Sequence, residues 1–351
     1  MVKYIQRYNL YKEAKYIMKH TKNMNHISWN VTMKCNLYCK HCYRESSPQE
    51  ETDDELTTEE GKKLLSDMKK ANLGVIVFSG GEPLLREDIF ELIEYACSLG
   101  IMPLMGSNGT LITPEVAQRL KASGLNAIAI SVDSLNKEIH DEFRGKEGSL
   151  DLTLAGIKNS IDAGLRVQVN TTISKYNLDD IDEVMEYADK IGALSSHMLF
   201  LVDVGRGKNI DVTQLDKRQY KDTINKIIEK DLDIKIKPTC APQYKVEAMF
   251  KDIPTVGGRG CIAGISYCSI LPNGDVHICP YTPVKVDSIR ERDFDDIWQN
   301  NEVFLQLRDY SQYKGKCGSC GYIDICGGCR ARAFSATGDW LEADPYCLLD
   351  V

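Results

Sequence analysis

The sequence predicts an α/β protein: a partial (β/α)6 barrel of parallel strands with helices outside, followed by a smaller cysteine-rich α+β module. Three observations carry this. From His26 to about Val202, short apolar, β-branched runs alternate with longer amphipathic ones, the pattern of repeated strand–helix units. Glycine-rich or polar turns follow the strand candidates. Nine cysteines fall between Cys240 and Cys347, where that alternation has stopped.

In chain order, residues 1–25 come first, with Lys3, Arg7, Lys12, Lys15, Lys19 and Lys22 among aromatics and no continuous apolar run of a signal peptide. They are read as an N-terminal helical extension on the surface. The barrel is assigned to residues 26–235. Its strand candidates are Ile27–Thr32, Gly74–Ser79, Met102–Ser107, Ala127–Val132, Arg166–Thr172 and His197–Val202. Helix candidates between them are Thr58–Ala71, Asp88–Leu99, Pro114–Ala122, Leu152–Ala163 and Leu178–Ile191. A charged stretch, Asp211–Leu232, reads as solvated helix. Residues 236–351 are a linker and the cysteine-rich module, with a hairpin turn at Pro272-Asn273-Gly274-Asp275 and a helix after Asp293.

The bulk numbers narrow the class. A chain of 351 residues, 43% hydrophobic and 27% charged, has room for a large core plus a smaller unit. No run approaches the ~18 apolar residues of a membrane span. A net charge of −8 gives no broad attraction to nucleic acid. A cytoplasmic location is expected, and with it thirteen cysteines point to metal ligands rather than disulfides. Cys97, alone in a helical run, is expected to be a buried small apolar residue.

In a parallel barrel the chemistry sits at the C-terminal strand ends. There lie the loop Cys35-Asn-Leu-Tyr-Cys39-Lys-His-Cys42, then Ser79-Gly80-Gly81-Glu82-Pro83, Ser107-Asn108-Gly109-Thr110 and Ser131-Val132-Asp133-Ser134, with Asn170 in the fifth strand. Three cysteines can wrap one cluster, and a [4Fe–4S] cube held by three thiolates keeps one iron open. On spacing alone a zinc knuckle remains possible.

CxxxCxxC followed by an aromatic, here Tyr43, resembles the signature of radical S-adenosylmethionine (SAM) enzymes. The resemblance implies that SAM binds the open iron through its amino and carboxylate groups, and that Cys35, Cys39 and Cys42 begin the reaction. Gly80, Gly81, Glu82 and Pro83 match the family's GGEP turn, which implies contact with the SAM amino group. By the same resemblance Asn108, Ser131, Asp133 and Asn170 are candidates for the remaining SAM contacts, and His41 for packing on its adenine rather than for metal. Arg144 is a further candidate by the same resemblance, with a surface ion pair as the alternative reading of an exposed loop arginine.

The later cysteines resemble the SPASM extension of that family, which implies two auxiliary [4Fe–4S] clusters. Cys261…Gly274…Cys279 and Cys317xxCys320xxxxxCys326 fit its spacing; the pair Cys326 and Cys329 is separated by two residues where three are usual. The resemblance assigns Cys261, Cys268, Cys279 and Cys329 to one cluster and Cys317, Cys320, Cys326 and Cys347 to the other. Cys240 is left over, as a structural thiol, a spare ligand or a residue near substrate. Taken alone, the CxxC pairs suit zinc equally well.

Within that group, Phe200-Leu201-Val202, Gly205-Arg206-Gly207-Lys208, Lys237-Pro238-Thr239-Cys240-Ala241-Pro242-Gln243, Arg259-Gly260-Cys261 and Cys326-Gly327-Gly328-Cys329-Arg330-Ala331-Arg332-Ala333 look similar to the haem-forming enzymes of the alternative haem pathway. That likeness implies oxidative decarboxylation of two propionates of iron-coproporphyrin III to vinyl groups. It also implies a tetrapyrrole partner and an external electron donor such as flavodoxin or ferredoxin. Arg206, Lys208, Lys237, Arg259, Arg330 and Arg332 are the cations considered for the carboxylates, since arginine grips them bidentately. Two rivals stand: a peptide maturase of the same group, for which residues 1–25 are short as a leader-binding domain, and a non-catalytic zinc scaffold.

Overall fold

The computed structural model describes residues 25–209, 214–255 and 258–349; apart from Asn25, the expected N-terminal helix lies outside them. Seven parallel strands follow one another: β1 His26–Asn30, β2 Val75–Ser79, β3 Met102–Ser107, β4 Ala127–Ser131, β5 Arg166–Ile173, β6 Ser195–Phe200 and β7 Lys235–Thr239. Six are the expected ones, with ends shifted by one or two residues. The seventh lies in the stretch read as a linker, where Lys235, Lys237 and Pro238 leave too few apolar, β-branched residues to read as a core strand.

Helices α1 Thr58–Lys70, α2 Ile89–Ser98, α3 Pro114–Ala122, α4 Lys137–Arg144, α5 Ser149–Asp162, α6 Ile181–Lys190 and α7 Lys217–Glu229 connect the strands. Thr57 and Glu60 cap α1 reciprocally, and Thr113 caps α3 ahead of Pro114. Alternate strand residues, among them Ile27, Trp29, Ile76, Phe78, Ile128, Ile130, Val167 and Val169, pack outward against Leu64, Met68, Leu92, Ile93, Leu120 and Ile157 of the helices. Each such side chain contributes roughly 1.5–3 kcal/mol by leaving water. The residues between them, Asn30, Ser79, Ser131, Gln168, Asn170 and His197, therefore face the barrel interior.

Cys97 departs from expectation and is exposed. The buried face of α2 is Ile89, Leu92, Ile93 and Ala96, and Cys97 lies one step round from it, beside the Ser123 and Gly124 carbonyls.

The C-terminal part grows directly from the open edge of the barrel. Strand β8, Tyr267–Ile270, pairs in parallel with β1, and the antiparallel strands β9 Asp275–His277 and β10 Asp287–Ser288 continue the sheet to give the order β10-β9-β8-β1-β2-β3-β4-β5-β6-β7. Helices α8 Tyr244–Phe250, α9 Phe294–Asn300, α10 Glu302–Arg308, α11 Gly315–Gly318 and α12 Arg330–Thr337 complete the chain. Among the described residues no helix is long and apolar enough to cross a membrane.

Candidate functional site

The cysteine loop follows β1 and is clamped from two sides. At the end of α4, Tyr38 N–H donates to the Arg144 carbonyl and Lys40 N–H to that of Phe143. The next residue, Gly145, has φ 69°, and a Cβ there would lie 2.3 Å from the Tyr38 oxygen, so no side chain fits. On the other side, Arg206 donates to the Cys39 and Ser46 carbonyls, both at 2.8 Å, and stacks on Tyr38. Arg206 was read as a partner for substrate carboxylates; its donors are instead spent on the loop. Lys208 is exposed.

Arg144 is buried rather than on the surface, with its Nε 2.7 Å from Asp133 Oδ2 and Nη1 3.9 Å from Cys39 Sγ. Burial alone would raise the Asp133 pKa, but the charge of the Arg144 guanidinium holds it below the usual carboxylate range. Asp133 also accepts from Thr172 N–H at 2.8 Å. Burial pushes His41 down to about 3, so its neutral ring stacks on Phe143 at 4.1 Å. Asp133 and His41 thus brace the cysteine loop, a role that sequence reasoning did not foresee. The helix that supplies Arg144 is short and was absent from the expected elements.

The GGEP turn packs against the same loop. Gly81 N–H donates to the Thr32 carbonyl at 2.7 Å and Glu82 N–H to that of Lys34 at 2.9 Å. A Cβ on Gly81 would sit 2.1 Å from the Lys34 oxygen. The glycine requirement at position 81 comes from this loop-on-loop contact. Glu82 is fully buried and accepts from Ser107 Oγ, Asn108 N–H and Leu84 N–H, with no cation among these partners. Burial pushes its carboxyl up to about 7. Asn108 ties the next turn to the loop through Asn36, and Tyr43 donates to Asn30. Ser131 and Asn170 are register neighbours on the inner face, and Asn170 accepts from Gln168.

These residues fit a three-cysteine cluster with SAM. Burial pushes the Cys35 thiol up to about 12 and raises that of Cys39, so they ionise readily only beside a strong positive charge such as iron. The buried Glu82 carboxyl likewise ionises readily only when further donors or positive charge approach it, and an amino group held on iron would supply N–H donors. Among the described residues no three cysteine sulfurs come within 4.8 Å of one another. A tetrahedral zinc, at about 2.3 Å from each sulfur, demands roughly 4 Å between them.

Beyond the barrel mouth the structure brings together two groups of four. The first is Cys240, Cys261, Cys279 and Cys329, each of which bears electrostatically on the other three. Burial pushes Cys279 up to about 12 and Cys329 up to about 11. Cys268, expected in this group, is absent from it. On β8 it points outward into the helix-packed core beside Ile270, while its neighbour Tyr267 packs against the group. A two-residue period puts Tyr267 and Cys268 on opposite faces. Cys240 takes the place instead, in a left-handed turn of φ 56° immediately after β7. The prolines that bracket it, Pro238 and Pro242, were the available sequence signal.

The second group is Cys317, Cys320, Cys326 and Cys347, which line one cavity with Gln243, Gly328 and Asp344. Arg330 Nη2 donates to Cys317 Sγ, Tyr322 N–H to Cys320 Sγ and Gly328 N–H to Cys326 Sγ, all at 3.4 Å. The Arg259 guanidinium lies over the Tyr310 ring at 4.0 Å and close to Cys326, while none of its nitrogens makes a well-formed hydrogen bond. A sulfide-bearing cluster would give those buried donors acceptors. Arg330 spends its remaining donors on the Gly328, Trp340 and Glu342 carbonyls, and Arg332 binds Tyr220 and the Cys240 carbonyl. Neither is free for a substrate carboxylate.

Comparison with known proteins gives the same picture. The family model of the radical SAM superfamily matches residues 29–188, and that of the SPASM iron–sulfur cluster-binding domain matches residues 261–330. The AdoMet-dependent heme synthase of Methanosarcina barkeri is 40% identical over 92% of this chain and 95% of its own. The Fe-coproporphyrin III synthase of the same organism is 32% identical over 92% and 87%. The SAM-bound structure of SuiB from Streptococcus suis superimposes with a TM-score of 0.73 at 19% identity, covering 97% of this chain and 81% of that one, which speaks to the fold alone.

Proposed function

The chain belongs to the radical SAM superfamily and carries its SPASM iron–sulfur domain, and from that premise we propose that it converts two propionates of iron-coproporphyrin III to vinyl groups, forming haem b. The observation that carries the reading is the likeness to a heme synthase across almost the whole of both chains. When bound, the reduced cluster and SAM supply a one-electron cleavage that yields a hydrogen-abstracting deoxyadenosyl group. Cys35, Cys39 and Cys42 would hold that cluster, and Glu82 would accept from the SAM amino group.

The substrate's own balance explains the rest of the molecule. Loss of a β-hydrogen atom and of carbon dioxide from one propionate leaves one electron to remove before the vinyl group has a closed shell. Cys240, Cys261, Cys279 and Cys329 would hold the nearer electron acceptor, and Cys317, Cys320, Cys326 and Cys347 a second one. The barrel orients the propionate and keeps water away, and an external donor such as a flavodoxin or ferredoxin would reduce the first cluster.

The test is direct. Reconstituted protein, SAM, a reductant and iron-coproporphyrin III are incubated without oxygen, and haem b is sought by mass. Deoxyadenosine formed without any loss of porphyrin mass would refute the proposal.

A further inference from the structure

We propose that Lys237 and His197 form a carboxylate-binding subsite inside the barrel, which anchors a propionate that the reaction leaves intact. The inference rests on the proposed substrate. It starts from strand register. Ser131 pairs with Asn170, Asn170 with His197 and His197 with Lys237, so these four residues form one row across β4, β5, β6 and β7. On β6 the neighbours Met198 and Phe200 pack outward, with Ile236 of β7 against the same core. Residues 197 and 237 accordingly point inward.

Neither side chain is sealed off there. Both are partly exposed although they face the interior, and no carboxylate lies among the groups that act on them. The ionisable groups bearing on Lys237 are Cys240, His197 and Lys245: one thiol and two bases. Lys245, on α8, is 5% exposed and donates to Thr255. The Lys237 ammonium, in a low-dielectric interior with no carboxylate acting on it, is costly to keep charged unless an anion joins it. The row's polar residues and the ammonium suit a carboxylate, which takes one charge-assisted hydrogen bond from Lys237 and a second from His197.

Two carboxylates could enter, that of SAM and those of the porphyrin, and position favours the porphyrin. The amino group of SAM is assigned to Glu82, which follows β2, and its carboxylate shares the same carbon. Lys237 stands on β7, at the far end of the parallel run. It is also close enough to Cys240 to bear on it, and so adjoins the first cysteine group. An ion pair with the departing carboxylate would stabilise the ground state against loss of carbon dioxide and oppose the reaction. A retained propionate carries no such penalty, and fixing it sets the reacting chain in place.

The experiment compares the binding of iron-coproporphyrin III, haem b and SAM to anaerobic wild type, Lys237→Gln, His197→Gln and Lys237→Arg by absorbance and calorimetric titration. Iron content and cluster spectra identify variants that remain folded. The proposal expects Lys237→Gln to weaken both porphyrins by about 10–100-fold and by a similar factor. His197→Gln should weaken both less, Lys237→Arg should restore most of the affinity, and SAM binding should be unchanged. Weakened binding of iron-coproporphyrin III alone would overturn the assignment to a retained carboxylate. Weakened SAM binding with both porphyrins unaffected, or no change in any ligand, would overturn the subsite. Failure of the wild type to bind either porphyrin would instead refute the proposed function, and this inference with it.

Discussion

The two sites that flank the barrel mouth are built in opposite ways. The first gathers three cysteines from eight consecutive residues, and its loop owes its shape to neighbours: the Gly80-Gly81-Glu82 turn, the end of α4 and Arg206. The second gathers Cys240, Cys261, Cys279 and Cys329 from four separate stretches, with Cys240 just after β7, Cys261 N–H bonded to the Cys326 carbonyl and Cys329 capping α12. A contiguous loop depends on being clamped, whereas a dispersed group depends on every stretch that delivers a ligand. The two thiolate sites can therefore fail for different physical reasons.

The largest expected effect sharpens the dispersed side. Cys240→Ala should remove about one cluster's worth of iron from the reconstituted protein, on the order of four atoms, whereas Cys268→Ala should keep the full complement and lose only packing. Iron and labile sulfide analysis of the two variants decides between Cys240 and Cys268 as the ligand; equal iron loss in both would show that the observed grouping is wrong. Next comes Gly81→Val, which tests the clamped side. With the Lys34 oxygen 2.1 Å from the added Cβ, the loop must shift, and the spectroscopic signature of SAM bound to the cluster should disappear while the later clusters remain.

Glu82→Gln keeps the shape of the turn and removes its charge. Titration should show SAM affinity lower by about 10–100-fold with the cluster retained. The smallest effect is one of pH. Burial raises the folded-state pKa of Glu82 to about 7, above its ordinary value. Its contribution to the stability of the SAM-free protein is therefore present at low pH and lost as pH rises from about 4.5 through about 7. SAM, which selects the ionised carboxylate, should bind more tightly at pH 8 than at pH 6, and Glu82→Gln should flatten that dependence. A thermal-shift series with and without SAM measures both.

Much of this was legible in the chain. Six strands show in the sequence because their outward residues are apolar, and the contiguous motifs stand where the turns between elements had to be. What stayed hidden depended on long-range geometry. Strand β7 carries Lys235 and Lys237 on the same, inward face, so it did not read as a core strand. The substitution of Cys240 for Cys268 rests on β8 lying beside β1, which sets the face that Cys268 presents. Arg144 and Arg206 looked like ordinary surface or substrate cations because the carbonyls, thiol and carboxylate that claim them lie elsewhere in sequence.

The pairing of β8 with β1 also bears on how the molecule is assembled. Asn30 donates to Ser269, 239 residues further along the chain. Until β8 arrives, the edge of β1 offers unpaired backbone groups, an invitation to pair wrongly. At synthesis rates of about 5–20 residues per second that interval lasts on the order of 10–50 s. Closing so distant a contact is slow as well. The chain thus spends its early life as an open sheet with one raw edge beside the cysteine loop, and should fold in high yield only where that edge is shielded. Expression at lower temperature or with excess chaperone should raise the soluble fraction of the full-length protein, more so than for a barrel whose first strand pairs with its near neighbours.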